Sequence, residues 1–430
     1  MDDIIKKQTL KEQQQFFYPK YKWTDPQVEF SDNQWYYYQA RHTVFFTAFT
    51  KNEMNKEALV DIAKDLVSLA PQLLTGFKNV GNGKDFPREI LETICSIKTV
   101  DSLEEYPDKW DNEAKEIFNS NNKPLFRIKA VVRKNGADKD GHKTMLIVQS
   151  THAIIEGADA SLLSQSKIVS QKTSNETTQK TSFLTRFSYG CAAALIAPLQ
   201  TLAAQIMVPK NHNMSYKTIL VEQKKLRKIA KSLGISRRAL MFALVAYGLN
   251  NGSKKNDKKA FSKRIVSIVY ADMNTTRDVK VNSDYFKFHA MIAKFKVKND
   301  FKSFAIEAEK TLNRVEAKNP SAAQDFFNAI FKAHRFYKKI FPFIYTSKTF
   351  RFSSGYHLNL SLTPPQRLNG TFTKNFIEPV YCGAFHPGLN VCVFSPGRTK
   401  VSFNFSMSEH HLKNVEKIVD LIDELDKSSN

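Results

Sequence analysis

The sequence predicts a two-lobed α/β protein with a mixed sheet in each lobe. Three observations predict it. At 430 residues, the chain exceeds the roughly 100–200 residues of one ordinary domain, so more than one core is expected. Strand-type and helix-type runs mix in both halves. Between the halves, residues 164–182, "SQSKIVSQKTSNETTQKTS", are rich in Ser, Thr, Gln and Lys and almost free of apolar side chains, the composition of a flexible linker. The expected partition is 1–165 as an N-terminal lobe, 166–215 as a crossover and 216–430 as a C-terminal lobe.

In the first half, "QWYYYQARHTVFFTAFT" (34–50) is aromatic and β-branched and predicts a strand. Leu59, Ile62, Ala63 and Leu66 then recur at helical spacing until Pro71, which stops the helix. "LFRIKAVVR" (125–133), a polar turn and "MLIVQST" (145–151) predict a hairpin.

No charged residue occurs between Arg186 and Lys210, a length that just spans a bilayer. Pro198 in its middle, Gln200 and Gln205, and the preponderance of Ala over Leu argue against insertion. A kinked helix pair, buried or lying on a membrane surface, is expected instead.

In the second half, Leu226, Ile229, Ala230 and Leu233 form one helix face, Gly234 ends that helix and Ser236 caps an apolar one. Strands are expected over 264–273 and 356–365, a helix over 298–318, a hairpin over 388–407 turning at Ser395-Pro396-Gly397, and a final helix through Val415–Leu425.

The chain carries 64 Lys+Arg against 42 Asp+Glu, a formal net charge of +22. Such a field attracts polyanions: nucleic acid, an anionic membrane face or a phosphorylated substrate. The helix-turn-helix spacing at 220–250 invites a DNA-reading role, but its second helix lacks a polar face for base edges, so nucleic acid is not an expected partner. The 33 Phe suit either a Phe-rich core or an apolar ligand. The four cysteines, Cys95, Cys191, Cys382 and Cys392, have no metal-ligand spacing, so no metal is expected and a reduced, cytoplasmic compartment is. The segment "MDDIIKKQTLKEQQQ" lacks the apolar core of a secretory signal.

One titratable ring, His152, sits where the apolar run 145–151 leaves its sheet, with Glu156 and Gly157 just beyond. It is either a satisfied core histidine or a base at a rigid edge. An imidazole is suited to the second role because its ordinary pKa of about 6.5 lies near working pH. Gly157 permits a tight turn.

"STHAIIEGADASLL" resembles the His-His-x-x-x-Asp-Gly motif of the wax ester synthase/diacylglycerol acyltransferase family, within the superfamily of CoA-dependent acyltransferases and condensation domains. "KPLFRIKAV", "LAPQLLTGF", "LRKIAKSLGISRRALMFALVAYGL", "NLSLTPPQRLNG" and "GLNVCVFSPGRTKVSFNFSMSEHH" resemble further segments of that family in the same order. Three departures stand out: Thr151 replaces the first His, Glu156 replaces the Asp, and Ser236, Arg237 and Arg238 occupy the place of Asn-Asp.

The resemblance implies a two-lobed fold with a tunnel between the lobes. It implies acyl transfer from an acyl thioester, acyl-CoA above all, to a hydroxyl or amine acceptor such as a long-chain alcohol or diacylglycerol. His152 would be the general base, and Glu156 would turn inward to an arginine such as Arg41 or Arg351. Asn359 and Ser361 are candidates to stabilise the oxyanion. Acyl-CoA enters as co-substrate, with no resident cofactor. A cytoplasmic protein, peripheral on the inner membrane face, is expected. The competing expectation is a catalytically silent relative that binds lipid or acyl-CoA, with Thr151 marking the retired chemistry.

Overall fold

The computed structural model describes residues 30–40, 42–69, 71–76, 87–103, 125–154, 181–207, 214–251, 265–272, 289–296, 298, 300–316, 320–345, 349, 358–362, 377–385, 389–394, 399–408 and 412–429. The chain runs α1 (Asp32–Gln39), β1 (Thr43–Thr50), α2 (Lys56–Leu69), a 3-10 turn (Pro71–Leu74), α3 (Arg88–Ile94), β2 (Cys95–Val100), β3 (Phe126–Arg133), β4 (Thr144–Thr151) and α4 (Phe183–Met207). It continues through β5 (Met214–Glu222), α5 (Gln223–Leu233), α6 (Arg237–Asn251), β6 (Ile265–Asp272), β7 (His289–Lys296), α7 (Phe301–Glu316) and α8 (Pro320–Ile340). It closes with β8 (Leu358–Leu362), β9 (Ile377–Phe385), β10 (Leu389–Phe394), β11 (Lys400–Ser408) and α9 (Val415–Ser428).

Two mixed sheets result. The first has the order β2-β3-β4-β1-β9 and the second β5-β11-β10-β8-β6-β7. In the first, β2 and β3 are parallel and the other pairs antiparallel. In the second, β8 lies parallel to both β6 and β10. The β3–β4 hairpin and the β10–β11 pairing follow the sequence expectation; Ser395-Pro396-Gly397 and most of the 164–182 stretch lie outside the described residues.

Alternation along β1 and β4 gives the first sheet two buried faces. Val44, Ala48, Leu146 and Val148 pack under α1, α2 and α3. Phe45, Met145 and Ile147 face the other way, where Phe45 meets Tyr216 of β5 edge to face at 5.4 Å. The second sheet is covered by α6, α7 and α9, with Phe242, Phe304, Phe403 and Ile418 in one core.

Three expectations are corrected. Residues 34–50 are not one strand. Ser31 and Gln34 form a reciprocal capping box that starts a helix, with Gln34 N donating to Ser31 Oγ and Ser31 N to Gln34 Oε1, so only Thr43–Thr50 is extended. The uncharged stretch is one helix with Pro198 inside it rather than a helix pair. The partition at 165 and 216 is crossed, because β9 from the second half pairs along β1 and completes the first sheet.

Gly234 ends α5 at φ 66°, and Ser236 Oγ accepts the Ala239 N–H at the start of α6, as the sequence predicts. Helix α6 is then buried along Leu240, Phe242, Ala243, Leu244 and Val245, so the helix-turn-helix spacing serves core packing. Gly248 lets α6 approach α9: a Cβ there would run into Ile418 Cγ1.

Gly248→Ala is expected to lower stability by about 1–3 kcal/mol through overpacking. Gly190→Ala in α4, where nothing lies within 4 Å of the added methyl, is expected to gain up to about 1 kcal/mol from helix propensity. Urea unfolding of the two variants checks this; equal midpoints would contradict the close α6–α9 approach.

Candidate functional site

His152 follows the last residue of β4 in a turn that Thr151 builds. The Thr151 N–H donates to Leu125 O at 2.9 Å, while Thr151 Oγ1 accepts the Ala153 N–H at 2.9 Å. Ile154 N closes the turn on Thr151 O at 3.2 Å. A hydroxyl capping the backbone two residues on is a local Ser/Thr turn. Thr151 is fully buried, so its hydroxyl serves the chain, and the place of a first histidine is taken by a turn-forming residue.

The imidazole of His152 is held on two sides. It stacks on Tyr37 of α1, ring centroids 4.5 Å apart and planes 26° apart. The His42 ring meets it edge-on at 5.9 Å, and Tyr37 and His42 approach each other at 5.1 Å. The backbone is fixed as well, since His152 N donates to His42 O at 2.8 Å. Next to this group the paired ends of β1 and β4 become polar: Thr43 lies opposite Thr151, and Gln149 opposite Phe45, with Thr43, Gln149 and Thr151 all buried.

Tyr37 is itself positioned from the second half of the chain. Phe331 of α8 packs against Tyr36 at 4.3 Å and Tyr37 at 5.8 Å. Arg335 Nη1 donates to Phe30 O at 2.8 Å and Asp32 Oδ1 at 2.9 Å, and its guanidinium lies 5.8 Å from the Trp35 ring centroid.

Burial in this aromatic surround lowers the His152 pKa to about 4, because a charged imidazolium loses its water there. The ring is therefore neutral at physiological pH, the form that accepts a proton.

Glu156 and Gly157 lie outside the described residues, as do Arg41 and Arg351. Asn359 and Ser361 are in β8, inside the second sheet, paired with Asn390 and Cys392 of β10; their side chains lie outside the description. Sequence reasoning missed Tyr37 and His42. The signal for Tyr37 was the Ser31–Gln34 capping box, and His42 stood beside the Arg41 that had been singled out.

Asp138, Asp140 and His142 bring potential ligand atoms within 4.8 Å of one another, but at the far end of β4, in the β3–β4 turn. There Asp138 Oδ1 accepts the N–H groups of Asp140 and His142, and its Oδ2 meets His142 Nδ1 at 3.0 Å. This carboxylate is engaged in shaping the hairpin.

No protein-family model and no curated protein matches the sequence. Solved structures do match in fold. The trichothecene 15-O-acetyltransferase of Fusarium sporotrichioides superposes with a TM-score of 0.53 at 11% identity, over 92% of this chain and 94% of that one. The wax ester synthase/diacylglycerol acyltransferase of Marinobacter aquaeolei VT8 gives 0.51 at 10% identity, over 90% and 95%. This chain has the fold of these acyltransferases. The first condensation domain of the calcium-dependent antibiotic synthetase adds a TM-score of 0.51 at 9% identity, covering 95% of each chain. The similarity extends over both sheets, as the order of sequence segments implied.

His152 and the buried His334 of α8 both have folded-state pKa values lowered by burial to about 4, from an ordinary 6.5. Between these values the unfolded chain binds more protons than the folded one. The stability these rings contribute is therefore fully present above about pH 6.5 and is lost as pH falls toward 4. Urea unfolding at pH 7 and pH 5 is expected to show the lower midpoint at pH 5. An NMR titration of the His152 C2 proton is expected to have its midpoint near 4; a midpoint above 6 would contradict the desolvated ring.

Proposed function

We propose that this protein transfers an acyl group from an acyl thioester, acyl-CoA in the first instance, to a hydroxyl or amine acceptor, with His152 as general base. The observation that carries the reading is a neutral imidazole held at the end of β4 between Tyr37 and His42, in a fold whose solved examples include acyltransferases.

The chemistry balances on one ring. The imidazole takes the acceptor's O–H or N–H proton as that atom attacks the thioester carbonyl. The tetrahedral adduct collapses, the C–S bond breaks, and the imidazolium returns the proton to the departing thiolate. Stacking on Tyr37 limits ring rotation and holds the base at one angle to its substrate. Asn359 or Ser361 of β8 would supply the donor to the oxyanion. The net charge of +22 favours the phosphates of CoA, and the Phe-rich composition suits a long-chain alcohol or diacylglycerol as acceptor. A cytoplasmic setting goes with this donor.

A second reading, a silent acyl-CoA or lipid binder, draws on two features of the site. A pKa near 4 makes His152 a weaker base than an ordinary imidazole, and Thr151 is committed to its turn. Thiol release from acyl-CoA in the presence of alcohols and amines separates the two. Transfer is expected for the native chain, and His152→Ala is expected to lower it about 10²- to 10⁴-fold while keeping the native circular-dichroism spectrum. Saturable acyl-CoA binding without thiol release would establish the silent binder; full activity in His152→Ala would remove the base from its role.

A further inference from the structure

Helix α4 is turned inside out relative to a helix of a water-soluble core. Its seam toward α8 is made of small side chains: Ala193, Ala197, Thr201 and Ala204 are all buried. Its outward side carries Phe187, Leu195, Leu199, Leu202 and Ile206, each 60–79% exposed. In an ordinary amphipathic helix the large apolar residues face the core. Small residues at the helix contact and large apolar ones outside are the arrangement of helices in lipid.

The strip extends beyond α4. Helix α8 runs parallel to it, with Arg186 near Asp325 at one end (3.6 Å) and Gln205 Nε2 donating to Ile344 O at the other (3.0 Å). The turn after α8 exposes Phe341, Phe343 and Ile344, and Phe343 is 93% exposed. So large a run of exposed apolar side chains marks an interaction surface.

We propose that this strip is a lipid-binding surface that seats the protein on an anionic bilayer, with α4 lying in the headgroup plane. Charge selects that occupant. The sequence has no Asp or Glu from Thr177 to Val221, nor from Phe326 to Ile377, while Lys332 and Lys339 of α8 are exposed. An apolar strip in an acid-free stretch of a chain with net charge +22 matches an interfacial helix on acidic headgroups. A second copy is the poorer partner, since each copy carries a net charge of +22.

The helix lies on the membrane and does not cross it. Although Phe183–Ile206 is long and apolar enough to span, it is fastened to α8 along its length. Tyr337 Oη donates to Ala194 O at 3.0 Å, and His334 Nε2 lies 3.0 Å from Gln200 Oε1. Helix α8 is in turn bound to α1 through Arg335.

Vesicle flotation with the purified full chain tests this, and needs no acyl donor, so its outcome is separate from that of the acyl-transfer assay. Binding is expected to phosphatidylcholine vesicles containing phosphatidylserine and to weaken in high salt, as the Debye length falls from about 10 Å at 0.1 M to about 3 Å at 1 M. Leu199→Glu with Leu202→Glu, and separately Phe343→Glu, are expected to lower the bound fraction about tenfold or more without changing the thermal melt, because these side chains are exposed. Release by alkaline carbonate is expected. Undiminished binding by the variants, or retention after carbonate, would overturn the proposal. So would light scattering that shows a native dimer made monomeric by the Leu199→Glu, Leu202→Glu change in a protein that ignores vesicles.

Discussion

The packing of Phe331 against Tyr36 and Tyr37 is the contact on which the arrangement around His152 depends. Phe331 belongs to α8 in the second half of the chain, yet it fixes the aromatic face of α1 in the first, and Tyr37 on that face is the surface against which His152 stacks. The same helix supports α4 through His334 and Tyr337. Two neighbours on α8 thus point to different tasks: His334 braces α4, and Arg335 ties α1. The ordering of a ring at the end of β4 is therefore a long-range property of the fold, supplied by dispersion and apolar burial and not by the turn alone.

Elements with one strong local signal were legible in the sequence. The α2 face of Leu59, Ala63 and Leu66, the hairpin from Phe126 to Thr151, and the α5–α6 pair with Gly234 between them are each specified by period and punctuation within a short window. What escaped was specified otherwise. In α1 the aromatic run Trp35–Tyr38 has strand propensity, and capping by Ser31 with tertiary packing on α8 overrides it. Strand β9 contains Pro379 and Gly383, residues that locally argue against a strand and are accepted here at the edge of the first sheet. Helix α8 begins at Pro320, a residue as often read as a stop as a start.

The site was half legible for a related reason. His152 is marked by its surroundings in sequence, a buried strand running into an acid-glycine pair. Tyr37 and His42 reach it only through the β1–β4 register and the turn linking α1 to β1, and the capping box that marks α1 does not say which ring meets His152. The environment they make also changes the chemistry expected of the ring: burial favours the neutral form over a wider pH range while reducing its basicity. Thr151 illustrates the opposite case, since its hydroxyl is used by the backbone, a use that leaves no trace in composition.

The placement of β9 sets the order in which the polypeptide can finish folding on the ribosome. Strand β1 leaves the exit tunnel early, but its second neighbour ends at Phe385, and at roughly 5–20 residues per second the wait is on the order of 20–70 s. Throughout that interval β1 is an open hydrogen-bonding edge in a run rich in Phe and Thr, the kind of edge that recruits foreign strands. Splitting the gene between its two halves would make that interval permanent, so the nascent chain, and not either half, is the unit that must be protected from aggregation.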